Sequence, residues 1–210
     1  GSIKNKMWRE NSKPISKIME SEDFFTALTE EFLFSIDGIA KLYPEEIKDS
    51  IRWIKQRYPE VKCSKISKLI SKNVIVDGLS LNHLQTNIYR SNIAKYLNGQ
   101  KVNLILEIGP GFGALARELL IAYPDSKYVV LDLEEVLHFS HRFLSEEFPD
   151  KKHKFLKNSS DLDDFDILYV SASDKNSHKL LEKLNGYDLC VNTCSMGEIP
   201  KDVASYYMDM

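Results

Sequence analysis

The chain has 210 residues, 43% hydrophobic and 28% charged, which is enough apolar material for one sizeable core and a smaller satellite and excludes a disordered or fibrous protein. With 28 Lys and Arg against 31 Asp and Glu the net charge is -3, which speaks against a phosphate backbone as the main partner, so no nucleic acid is expected. Three cysteines, Cys63, Cys190 and Cys194, give no disulfide framework, and neither a secretory signal nor an apolar run of transmembrane length is found, so a cytoplasmic protein is expected.

Gly1-Ser2 reads as a tag remnant and is left out of fold reasoning. Residues 3–79 read as an all-helical N-terminal region, with an excess of basic side chains up to Asn73 and an acidic excess beyond it. Ser21 with Glu22 and Asp23 marks an N-cap for a helix running to Asp37-Gly38. Pro44, Glu45 and Glu46 open the next helix, with Ile47, Ile51, Ile54 and Tyr58 along one stripe until Pro59. Lys62, Lys65, Lys68 and Lys72 then line one side of a short helix opposite Ile66, Leu69 and Ile70. A solvated face over a packed stripe is favoured there over a membrane-surface helix. Asn73–Asp77 is a short apolar run.

Residues 80–210 read as a second domain. A helix from Ser80 carries Leu81, Leu84, Ile88, Tyr96 and Leu97 in register and stops at Gly99. After it the texture changes: strand at Val102–Ile108, helix at Gly113–Ala122, strand at Lys127–Leu133, helix at Glu134–Phe148. A strand at Asp166–Val170, a helix at Ser177–Leu184, a strand at Tyr187–Asn192 and a helix at Asp202–Met208 complete the series. His153–Leu156 competes with Asp166–Val170 for the third strand, and the second has the better apolar run. The alternation predicts an α/β fold, a Rossmann-like parallel sheet of about four core strands behind the helical region.

The stretch Leu106–Leu115 (LEIGPGFGAL) places Gly109, Gly111 and Gly113 between a strand and a helix, where the chain must turn tightly and let a ligand approach its backbone. Asp132, at the end of the next strand, suits a carboxylate that accepts hydrogen bonds from ribose hydroxyls. Gly109, Gly111 and Ala114 also satisfy the dinucleotide pattern, so an NAD-dependent oxidoreductase is a rival. Glu107 tips the choice: it would repel a pyrophosphate, whereas it suits the sulfonium and ammonium of S-adenosylmethionine (SAM).

Glu107–Gly113 resembles motif I of the class I SAM-dependent methyltransferases, and Asp132 matches their ribose-binding acid. With YVVLDLEEVL and YDLCVNTCSMGEIPKDVASYYM added, the pattern resembles a family of sugar O-methyltransferases of bacterial surface-polysaccharide loci, over residues 80–210. By that resemblance Glu107, Gly109, Gly111 and Gly113 hold the methionine end of SAM, Asp132 the ribose, and Leu133 one adenine face. Ser171 and Ala172 meet the adenine edge, and Asn192 and Thr193 lie beside the reacting methyl group. Glu198, in the loop SMGEIP, is the candidate base or sugar-hydroxyl ligand; a helix N-terminal acid is the competing reading.

No metal is expected: His138 and His141 read as an exposed polar face, and Cys190 and Cys194 as small buried thiols. Tyr89 reads as core and Arg90 as surface, and Phe24, Phe25, Phe32 and Phe34 as core. Fewer strands are countable before Met210 than the resemblance implies. The domain is therefore expected to be C-terminally truncated, binding SAM with weak or absent turnover, with a sheet edge that a homodimer would cover. The acceptor is expected to be a small molecule or glycan. A non-catalytic methyltransferase-like binding module is the rival from outside enzymology.

Overall fold

Short apolar runs bounded by turn residues become the strands of a parallel sheet in the computed structural model, which describes residues 17–24, 44–57, 59, 81–184, 186–193, 195–199 and 201–208. The chain divides at Gly99 into two compact units. Among the described residues no helix is long and apolar enough to cross a membrane.

The N-terminal unit contains α1 (Pro44–Arg57) and α2 (Leu81–Leu97), which pack on each other. Pro44 starts α1, where its missing N–H costs nothing, and Ile51 from the expected stripe is fully buried. Asn98 and Gly99 end α2 with positive φ angles of 45° and 81°. Tyr96 departs from the expected stripe: it is 85% exposed, because the buried side of α2 runs through Thr86, Asn87, Ser91 and Leu97 instead. Tyr89 and Arg90 are both half-buried rather than core and surface, and Tyr89 Oη accepts a hydrogen bond from Gln85 at 2.9 Å. Of the expected helix from Ser21 only residues up to Phe24, itself buried, are described. The lysine-rich segment, the run Asn73–Asp77 and Phe25, Phe32 and Phe34 lie outside the described residues.

In the C-terminal unit the order is β1 (Leu104–Ile108), α3 (Ala114–Ala122), β2 (Lys127–Asp132), α4 (Glu134–Glu147), β3 (His153–Phe155), β4 (Ile167–Ser171), α5 (Lys175–Leu181), β5 (Leu189–Val191) and α6 (Lys201–Met208). All pairings are parallel and the spatial order is β3-β4-β2-β1-β5. The expected Rossmann-like α/β architecture is therefore present, with five strands in place of about four. Both candidates for the third strand are strands: Ile167–Ser171 pairs with β2, and the three-residue His153–Phe155 adds an outer edge.

Helices cover both faces of the sheet, which is why its central strands are continuous apolar runs. On one face Leu106, Ile108, Val129, Leu131, Leu168 and Val170 form a core with Leu181 of α5 and Tyr207 of α6. On the other, α3 and α4 pack on β2, and α4 also on β4. Phe112 meets Phe143 of α4 edge-on at 5.2 Å. Asp188 fixes the start of β1, its Oδ2 accepting from the backbone N–H of Asn103 at 2.7 Å and of Leu104 at 3.0 Å.

A buried ion triad ties α3 to α4. Arg117 donates through Nη1 to Glu118 and through Nε to Glu147 at 2.7 Å, and none of the three side chains is more than 11% exposed. A buried charge stripped of its partner is strongly destabilising. Arg117→Ala is expected to lower unfolding free energy by about 3–5 kcal/mol, read as the shift of the urea midpoint at constant slope.

Candidate functional site

β1 and β2 end side by side, with Ile108 in register with Leu131, so the turn leaving β1 lies next to the end of β2. Gly109, Gly111 and Gly113 all have positive φ, at 67°, 61° and 97°. Two of them have distinct reasons to lack a side chain. A Cβ on Gly109 would lie 2.0 Å from Ser195 Oγ, so the loop after β5 sits directly on this residue. A Cβ on Gly111 would meet nothing within 4 Å, so its left-handed backbone alone calls for glycine and the space in front of it is open.

Asp132 joins the two strand ends. Its Oδ1 accepts from the Leu133 N–H at 2.7 Å and its Oδ2 from the Gly111 N–H at 3.3 Å, while the Gly109 N–H reaches Leu131 O at 2.9 Å. Each carboxyl oxygen keeps a lone pair for a ligand donor. Burial pushes this carboxyl up to about 7, against the pull of its two backbone bonds. Glu107 is raised to about 7 as well, first by burial and then by the charge of Asp132, although the Tyr128 hydroxyl donates to it at 2.8 Å.

Glu107 lies directly behind the glycine turn, one residue before Ile108. It is 1% exposed on the sheet face opposite Ile108, bonded to Tyr128, and takes no part in the cleft wall.

The loop after β5 is knotted to the end of β1. Asn192 Nδ2 donates to Ile108 O at 2.7 Å, Ser195 Oγ donates to the same carbonyl at 3.1 Å, and the Met196 N–H donates to Asn192 Oδ1 at 3.1 Å. Asn192 thus fixes the loop, and Thr193 is exposed. Glu198 is the last residue of the short 3-10 turn Ser195–Glu198, which starts at the serine lying on Gly109. On the far side, Ser171 is in register with Asp132, and the Ala172 N–H donates to Asp132 O at 2.8 Å.

These elements line a cleft at the carboxyl ends of the strands. Of the expected residues, Gly109, Asp132, Leu133 and Ala172 line it; Gly111, Gly113, Ser171, Asn192 and Thr193 stand around it without forming its wall. Ser195, Ile199, Val203 and Tyr207 line it unforeseen. The signal for Val203 and Tyr207 was their four-residue spacing on one face of the final helix, with Ile199 four residues ahead of Val203.

Among the described residues no group of three or more His, Cys, Asp or Glu is placed to hold a metal ion. His138 is exposed, whereas His141 is half-buried: its ring lies 5.0 Å from Phe155 and 5.1 Å from Tyr169, and burial holds its pKa down. Cys190 is exposed rather than buried, since the middle residue of three-residue β5 points away from the core. Cys194 lies outside the described residues.

A model of the O-methyltransferase domain matches residues 70–164, a segment that holds the glycine turn and Asp132 and ends before β4. No curated protein matches the sequence. Among solved structures, human N-acetylserotonin methyltransferase in complex with SAM is similar at 16% identity and a TM-score of 0.31, over 74% of this chain and 42% of that one. A protein of Nostoc punctiforme assigned as an O-methyltransferase is similar at 12% identity and a TM-score of 0.30, over 89% of this chain and 60% of that one. The chain thus spans less than two thirds of either protein.

The two raised carboxyls make stability depend on pH. Each holds its proton in the folded chain at pH values where the unfolded chain has lost it, so their contribution is greatest below pH 4 and is lost as pH rises through 7. Urea unfolding of the ligand-free protein is expected to show a loss on the order of 4 kcal/mol between pH 5.5 and 8, about 2 from each carboxyl, and Asp132→Asn should remove about half of it.

Proposed function

We propose that this chain is a SAM-dependent O-methyltransferase. The observation that carries the reading is the hydrogen bond from the Gly111 N–H to Asp132 at the mouth of the cleft. A dinucleotide site keeps the N–H groups of its glycine turn for the pyrophosphate; here a carboxylate takes one of them and sets negative charge at the turn, which repels phosphate and attracts a cation. The O-methyltransferase domain match over residues 70–164 supports the same reading, since it spans both partners of that bond.

When bound, SAM supplies a methyl group on a positively charged sulfur. Asp132 accepts the ribose hydroxyls with its spare lone pairs, and its ionised form is the one that does so. Leu133, in the cleft wall, offers apolar contact for one face of the adenine, and Ser171 and Ala172 meet its edge. The turn of Gly109, Gly111 and Gly113 leaves room for the methionine end. Glu107 serves from behind, holding Tyr128 and adding negative potential. Asn192 holds the loop that carries Thr193 and Glu198 next to the end of β1.

For the acceptor we propose a hydroxyl of a sugar used in surface-polysaccharide synthesis in the cytoplasm, on the resemblance of YDLCVNTCSMGEIPKDVASYYM to sugar O-methyltransferases. Glu198 is the base that takes the hydroxyl proton as the oxygen attacks in line.

Calorimetry tests the cofactor. S-adenosylhomocysteine is expected to bind, with affinity rising roughly tenfold from pH 6 to pH 8 as Asp132 ionises, and NAD is expected not to bind. Binding of NAD without S-adenosylhomocysteine overturns the reading. With a sugar acceptor, Glu198→Gln should cut turnover about a hundredfold at unchanged S-adenosylhomocysteine affinity; full turnover removes Glu198 from the mechanism.

A further inference from the structure

Tyr207, on α6, is 3% exposed and lines the cleft, yet its hydroxyl has no hydrogen-bond partner among the described residues. A buried hydroxyl left unpaired costs about 1–3 kcal/mol, so such a group on a residue that lines a cleft invites a ligand atom to reach in and satisfy it. The ring is well fixed. It packs into the core formed by β1, β2 and β4, and His178 meets it edge-on at 5.7 Å while stacking on Tyr206 at 5.4 Å. His178 also bonds to the backbone of Ala172, another residue of the cleft wall. Holding a phenol this firmly costs little further entropy when a ligand arrives.

The chemistry of the wall selects the ligand atom. Asp132, ionised, only accepts, and Tyr207 brings a donor to the same cleft. A ligand hydroxyl donates one hydrogen bond and accepts others, so one hydroxyl can satisfy both groups. Burial first, then the neighbouring Tyr206 and the charge of Asp132, hold the pKa of the phenol up to about 12, which keeps it a protonated donor throughout the neutral range.

We propose that Tyr207 is a second, donor-side contact for the ribose of the nucleoside cofactor, its hydroxyl bonding to the sugar oxygen whose hydrogen goes to Asp132. This rests on the cofactor reading above. It gives α6 a part in choosing the cofactor, a helix that lies beyond the segment matched by the O-methyltransferase domain.

The test compares the wild-type chain with Tyr207→Phe, using S-adenosylhomocysteine and its analogue lacking the 2′ and 3′ hydroxyls. Expected results are a five- to tenfold loss of S-adenosylhomocysteine affinity in the variant, equal affinity of both proteins for the deoxygenated analogue, and an unchanged or higher thermal midpoint without ligand. Equal binding of S-adenosylhomocysteine by both proteins overturns the proposal. So does an equal loss for both ligands, which would put the contact elsewhere on the cofactor, and so does a lowered midpoint, which would make the phenol structural. If the wild-type chain itself binds no S-adenosylhomocysteine, the cofactor reading fails first, a result distinct from any of these.

Discussion

The carboxyl of Asp132 holds the carboxyl end of the sheet together. It closes the step from β2 into α4 through the Leu133 N–H and reaches across to the Gly111 N–H in the turn that leaves β1. Neither connection is a ladder hydrogen bond; both add to the Gly109 N–H bond to Leu131 O that already joins the two strand ends. The arrangement requires a nearly buried acid beside a second buried acid, Glu107, and burial lifts both to about 7. The interaction that organises the turn is thus one whose charge is easily changed. A cationic or hydroxyl-rich ligand recovers in binding what the folded chain loses by keeping these acids out of water.

The rest of the cleft hangs on the neighbouring strand end. Ile108 O accepts from both Asn192 and Ser195, so the residue that begins the glycine turn also anchors the loop after β5. That double use explains why Gly109 tolerates no side chain: the loop is drawn down until Ser195 Oγ occupies the place of a Cβ. From this loop the chain enters α6, whose Tyr207 is pinned in the core under the sheet. One residue pair, Ile108 and Leu131, therefore sets the relative position of three connections.

What sequence reading captured follows from local chemistry. The apolar runs of β1, β2 and β4, the positive-φ glycines and the acid at the end of β2 all announce themselves within a few residues. What it missed depends on distant partners. His153–Phe155 is three residues long with no residue fully buried, and only its pairing with β4 makes it a strand. The bond between Glu107 and the Tyr128 hydroxyl of β2 joins residues 21 apart, which nothing near the glycines reveals. Glu118 and Arg117 look like ordinary surface residues of α3 until Glu147 of α4 completes the triad. Nothing local to α6 reveals that the buried Tyr207 hydroxyl ends without a partner among the described residues.

The two walls of the cleft differ in kind, and the difference limits what fits between them. One side brings the glycine turn and an acceptor carboxylate; the other brings Ile199 and Val203, with Leu131 and Leu133 at the strand end. A phosphate finds no set of free backbone donors there, because the Gly109 and Gly111 N–H groups already point at Leu131 O and Asp132. A purely apolar ligand would leave the carboxyl without the donors that its burial calls for. A nucleoside carrying positive charge answers both walls at once: a flat ring for the aliphatic side, hydroxyls for Asp132, and a cation where the two buried acids concentrate negative potential. The selectivity of this site thus comes less from any one contact than from having spent the donors of its glycine turn on the protein's own carboxylate.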